Sequence, residues 1–113
     1  MIVGGDMALK PSSKNFLLDL LSTPSPTGFE AGGQRKWTTR MRKCADRVES
    51  DAYGNAWATL EGVTKKGPVI MLEAHADEIG YMVKYISKDG FIFVDRVGGS
   101  DVATARGRRV EIF

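Results

Sequence analysis

The sequence predicts a mixed α/β chain whose last third turns all-β, and three observations carry that prediction. Apolar residues recur at helical spacing before residue 48, they alternate at strand spacing after it, and one nearly unbroken apolar run spans 68–74. A first helix follows from Phe16, Leu17, Leu20 and Leu21, which make one apolar stripe, with Ser12 and Ser13 placed to cap it. Pro24, Pro26 and Gly28 then stop the helix in the loop TPSPTGFE. A second helix is expected over 31–47, because Trp37, Met41, Cys44 and Val48 recur at its period; Gly32 and Gly33 weaken its first turn.

Strands are expected at 48–52 and 56–60 around the turn Tyr53-Gly54-Asn55. Thr64-Lys65-Lys66-Gly67 makes a second polar turn. The run 68–74 has the composition of a central strand covered on both faces. A hairpin is expected from 81–86 and 91–94 around Ser87-Lys88-Asp89-Gly90; Gly98-Gly99 interrupts the chain, and 110–113 begins another strand. The first 78 residues thus mix helices with strands and the last 35 read as all-β, an unusual plan for one small compact domain. No repeat or low-complexity segment occurs.

Composition narrows the function. The apolar fraction of 42% and charged fraction of 27% are those of a globular protein, and no apolar run approaches the roughly 20 residues that span a bilayer, so no membrane role is expected. The opening MIVGGDMALKPSS lacks the basic-then-apolar order of a secretory signal and reads as a flexible leader over 1–12, in which Met7 offers an alternative start. Cys44 stands alone, so no internal disulfide can form and a cytoplasmic setting is the default. Arg35, Lys36, Arg40, Arg42, Lys43 and Arg47 cluster, yet only Trp37 is interleaved with them, so the cluster reads as a solvated helix face and no nucleic-acid partner is expected.

Chemistry concentrates in VIMLEAHADEIGYMV, where Glu73, His75, Asp77 and Glu78 interrupt apolar sequence and His75 is the sole histidine. Residues i and i+2 of a strand share a face, which sets His75 beside Asp77 with Glu73 on the same side. An imidazole next to a carboxylate at a strand's C-terminal end can ligate a metal through one nitrogen while the other donates to the carboxylate. A satisfied structural histidine is the plainer alternative, and Glu73 and Glu78 fit charge pairing or solvent equally well. Nothing places Cys44 or a serine beside His75 as a nucleophile, and Gly4-Gly5 and Gly98-Gly99 lack the context of a phosphate loop.

Six segments in one order (Pro24 to Glu30, Asp51 to Asn55, Met71 to Val83, Asp89 to Phe91, Val97 to Gly99 and Gly107 to Ile112) resemble the glutamyl/deblocking aminopeptidases. These are dinuclear metallopeptidases that include the tetrahedral aminopeptidases, and some members carry an endoglucanase label. The resemblance covers roughly 14–113. It implies a zinc-peptidase-like α/β catalytic domain, begun here over 13–78, and a β-rich, PDZ-like dimerisation domain inserted after the His-x-Asp strand, begun over 79–113. It further implies that His75 ligates a metal, that Asp77 supports this histidine, and that peptides are the substrate. A complete site would hold two divalent ions, zinc or cobalt, and the enzyme would form a homo-oligomer through the β-rich domain.

Family members are several-fold longer. They draw the bridging carboxylate, the general-base glutamate, further acidic ligands and a second histidine from sequence after the inserted domain. The expectation is therefore an N-terminal fragment of a metalloaminopeptidase, holding at most one ion weakly and inactive by itself. The rival expectations are a non-catalytic β-rich self-association module and a vestigial single-metal-binding protein.

Overall fold

Proline opens the first helix. In the computed structural model, which describes residues 9–64 and 66–113, α1 spans Pro11–Leu21 with the proline in its first turn, where a missing N–H costs nothing. Lys10 is the N-cap and makes no side-chain capping bond; Ser12 and Ser13, expected as caps, already lie inside the helix because Pro11 starts it first. Of the leader expected over 1–12, residues 1–8 lie outside the described residues, and Pro11 and Ser12 belong to α1.

α2 spans Ala31–Met41, six residues shorter than expected. The chain turns at Arg42 to Cys44, and Asp46 N–H donates to Thr59 O at 2.9 Å, so pairing with the next hairpin takes over where periodicity alone would extend the helix. Gly33 is buried in α2, and a Cβ there would sit 2.7 Å from Ser25 Oγ. The glycine that weakens the helix by propensity thus admits the loop after α1 against it. The two helices are also joined by Lys36 to Asp19 at 2.6 Å, and the Arg40 guanidinium lies 5.5 Å above the Phe16 ring. Two members of the basic cluster are therefore engaged within the helix pair.

β1 (Arg47–Ser50) and β2 (Ala56–Thr59) form an antiparallel hairpin, in register from Arg47 opposite Thr59 to Ser50 opposite Ala56. Its turn is organised by Asp51, whose Oδ1 accepts from the Tyr53 and Asn55 amides at 2.9 Å and whose Oδ2 accepts from Asn55 Nδ2 at 2.7 Å. These bonds hold the Asp51 carboxyl below its ordinary value; the Asn55 side-chain bond contributes most, and desolvation opposes it. Gln34 Nε2 donates to Gly54 O at 2.9 Å and ties α2 to this turn.

β3 (Gly80–Ile86) and β4 (Ile92–Val97) make a second antiparallel pair, with a register irregularity between Val83 and Tyr85. Tyr85 and Phe93 oppose each other with ring centroids 5.8 Å apart. A four-residue helix, α3 (Val102–Ala105), follows with Asp101 as its N-cap; the alternation-based expectation of an all-β end missed it.

The run 68–74 departs most from expectation. It has no strand partner among the described residues, and Val69 and Leu72 are 97% and 93% exposed. Residues 110–113 likewise form no strand. A strand buried on both faces needs neighbours at both edges and a layer on each side. The described residues supply two separate two-stranded sheets and bury no large apolar side chain. The radius of gyration is 19.2 Å, against about 13 Å for a compact chain of this length. The mixed helix and strand content agrees with an α/β chain.

Candidate metal centre

Two segments fifty residues apart build the site. The loop after α1 carries Pro24 and Pro26, which stiffen it, and Gly28 takes φ of 89°, a backbone conformation that favours glycine. Phe29 N–H donates to Pro26 O at 2.7 Å and Gly28 N–H to Glu30 Oε1 at 2.6 Å, closing the loop on itself. Its preceding edge meets the chain just before β3. Glu78 N–H donates to Ser25 O at 2.9 Å, Ser25 N–H donates to Glu78 Oε1 at 2.9 Å, and Pro26 and Glu78 form a parallel bridge. A Cβ on Gly80 would stand 3.0 Å from Pro26 Cβ, so a larger residue would crowd the approach. Ser25, at 7% exposure, is one of only two polar side chains buried among the described residues.

This clamp delivers Thr27 to Asp77. The Thr27 hydroxyl donates to Asp77 Oδ2 at 2.6 Å, and the other carboxylate oxygen, Oδ1, lies 3.1 Å from His75 Nδ1. His75 Nδ1 also lies 2.8 Å from the Asp77 backbone oxygen. The Thr27 hydrogen bond is the main reason the Asp77 carboxyl sits below its ordinary value; the bond to His75 adds to it, while desolvation opposes it. Both partners of Nδ1 are therefore acceptors, and in the neutral ring the proton belongs on Nδ1. Nε2 is then the acceptor nitrogen, on a side chain 85% exposed.

His75 and Asp77 come together as the sequence predicts, though without the strand that motivated the pairing. The exposure of His75 is unlike that of a histidine buried in a core. Glu73 is exposed and makes no hydrogen bond or ion pair among the described residues, so it does not join the pair. Glu78, left open between charge pairing and solvent, is the side-chain half of the loop clamp. Sequence reasoning missed Ser25 and Thr27. Their signals were the proline-stiffened loop and the family-like segment Pro24 to Glu30 that contains them, but no periodicity connects residues fifty positions apart.

The donor chemistry fits one metal-ligand position, a neutral imidazole with its far nitrogen backed by a carboxylate. Among the described residues, no three His, Cys, Asp or Glu side chains gather to hold an ion by themselves.

The described residues thus give a mixed α/β chain that presents a carboxylate-backed imidazole next to a clamped loop. The model of the M42 glutamyl aminopeptidase family matches residues 54–113, more than half of the chain, and the chain belongs to that family. It is 34% identical over 95 residues to the lysyl aminopeptidase of Pyrococcus furiosus, covering 83% of this chain and 27% of that protein. It is 31% identical over 94 residues to the glutamyl aminopeptidase of Lactococcus lactis, covering 83% of this chain and 26% of that one. The chain thus spans about a quarter of the length of these curated relatives.

Proposed function

We propose that the chain carries the N-terminal part of a metal-dependent aminopeptidase, with His75 as a metal ligand through Nε2 and Asp77 as the group that orients it. One observation carries this reading: His75 Nδ1 is committed to two oxygens of Asp77, which leaves Nε2 available on an exposed ring. Family membership supports it, since relatives matched over this region are named as lysyl and glutamyl aminopeptidases.

When bound, two divalent ions, zinc or cobalt, would supply Lewis-acid activation of water for attack on an N-terminal peptide bond. This chain's own residues hold the imidazole in its ligating tautomer and brace that arrangement through the Ser25–Glu78 clamp. The remaining ligands and the general base lie outside the chain in this reading, so alone it binds at most one ion weakly and turns over no peptide. The catalytic α/β part would run over 13–78 and a PDZ-like dimerisation domain would begin over 79–113. A cytoplasmic setting accords with the single cysteine.

Cobalt titration of the wild-type chain against His75→Ala tests the reading, together with turnover of aminoacyl chromogenic substrates by a host-enzyme-free sample. The expected result is weak uptake lost with His75 and no turnover. Equal uptake by both chains would remove His75 from the account.

A second reading, self-association through the β-rich end, is favoured by a specific observation. Among the described residues β3 and β4 pair only with each other, and their Tyr85, Ile86 and Phe93 are exposed, as is Phe91 in the connection between them. It predicts a concentration-dependent mass in sedimentation, and a monomer at every concentration would dismiss it.

A further inference from the structure

We infer that Thr27 is a positioning residue for the metal ligand, acting through Asp77; this rests on the reading of His75 given above. Hydrogen bonds, more than packing, hold the His75 ring. The side chain is 85% exposed, so packing does little to fix it, and among the described residues its hydrogen bonds are the two from Nδ1 to Asp77. One of these ends on the backbone oxygen at 2.8 Å and the other on Oδ1 at 3.1 Å. The side-chain bond therefore depends on how the Asp77 carboxylate is turned.

An aspartate's terminal torsion is broad, and an unrestrained carboxylate samples many orientations. Here it is held from its other oxygen, because the Thr27 hydroxyl donates to Oδ2 at 2.6 Å. The two oxygens are divided between one donor from the loop and one from the histidine, and that division sets the carboxylate plane. Thr27 itself is held by the loop's attachment to the chain beside Asp77, through the two Ser25–Glu78 hydrogen bonds and the approach of Pro26 to Gly80. The loop is thus more than a connection between helices. It reaches across fifty residues of sequence to orient the group that orients the ligand.

The tautomer of His75 is the direct readout, and His75 being the sole histidine makes its nitrogen signals unambiguous. The wild-type chain, Thr27→Val, Thr27→Ala and Thr27→Ser are labelled with 15N-histidine and compared by long-range nitrogen–proton spectra at a pH where the ring is neutral. Each is then titrated with cobalt alone. The expected result is a dominant Nδ1–H tautomer in wild type and Thr27→Ser, and a measurably lower Nδ1–H fraction in Thr27→Val and Thr27→Ala, where only the bond to the Asp77 backbone oxygen still favours it. Cobalt affinity should fall about tenfold in the latter two and return with serine, in keeping with the size of outer-shell effects on metal sites. Backbone amide spectra identify any variant whose loop has come away from Glu78, and Thr27→Ala, which adds no bulk, stands in for valine there.

A wild-type tautomer in both hydroxyl-deleted variants overturns the inference, as does a mixed tautomer in the wild-type chain. If wild type takes up no cobalt, the metal-ligand reading fails by itself, while the tautomer comparison still decides whether Thr27 sets the ring.

Discussion

The junction between the loop at 24–30 and the segment at 75–80 contrasts with the apolar run just before it. The junction is polar and short, yet it holds together across fifty residues of sequence through hydrogen bonds of 2.6–2.9 Å. The run 68–74 is among the most apolar stretches of the chain, yet Val69 and Leu72 are almost wholly exposed. Directional hydrogen bonds can be satisfied between two segments that merely touch. Burying a leucine, worth roughly 1.5–3 kcal/mol, requires atoms on every side, and two separate hairpins with a helix pair do not provide them. A local site can therefore form where a core cannot.

The sharpest break in this contrast comes from the clamp. Glu78→Ala removes the acceptor of the Ser25 N–H in the more enclosed part of the junction, and an unsatisfied amide there costs about 1–3 kcal/mol. Hydrogen exchange at the Ser25 amide should speed up accordingly, whereas Glu78→Gln, which keeps a side-chain oxygen, should stay close to wild type. Next is Leu72→Ala. At 93% exposure the change should shift stability by no more than about 0.5 kcal/mol, far below the roughly 2–5 kcal/mol of a buried leucine. A loss of the larger size in chemical denaturation would mean that the run is covered, for instance by a second copy.

Acid gives a third, smaller effect on the β1–β2 turn. Asp51 has a carboxyl lowered in the folded chain from 3.8, so its contribution is present above that unfolded value and is lost as pH falls through the lower folded one. Amide protection at Tyr53 and Asn55 should therefore be steady near neutrality and decline only below about pH 4, with the decline absent in Asp51→Asn. A further small effect belongs to Lys84→Ala on β3. Its ion pair with Asp95, at 3.0 Å and well exposed, should contribute at most about 1 kcal/mol and less in high salt.

What was legible in the sequence follows the range of the interaction. α1, β1, β2 and the β3–β4 hairpin were visible in periodicity and turn residues, because their bonds join near neighbours. The end of α2 was misplaced by six residues, since Asp46 and Arg47 are taken by pairing with Thr59, a competition that helical spacing does not register. α3 was hidden because four residues are too few to show a period. At the site, His75 and Asp77 were legible as an i, i+2 pair, whereas the alignment of Glu73 with them assumed a strand that did not form.

The sequence by itself determined the local inventory: two helices bounded by prolines and glycines, two hairpins set by their turns, and one histidine two residues from an aspartate. Its family-like segments also pointed to the aminopeptidase family to which the chain belongs. Only the tertiary structure decided that Thr27 and Ser25 belong to the His75 neighbourhood, that Glu78 clamps the loop, and that the apolar run stays uncovered. The physical reason is that nearest-neighbour geometry is written in residue spacing, while long-range contact and burial depend on which surfaces the folded chain brings together.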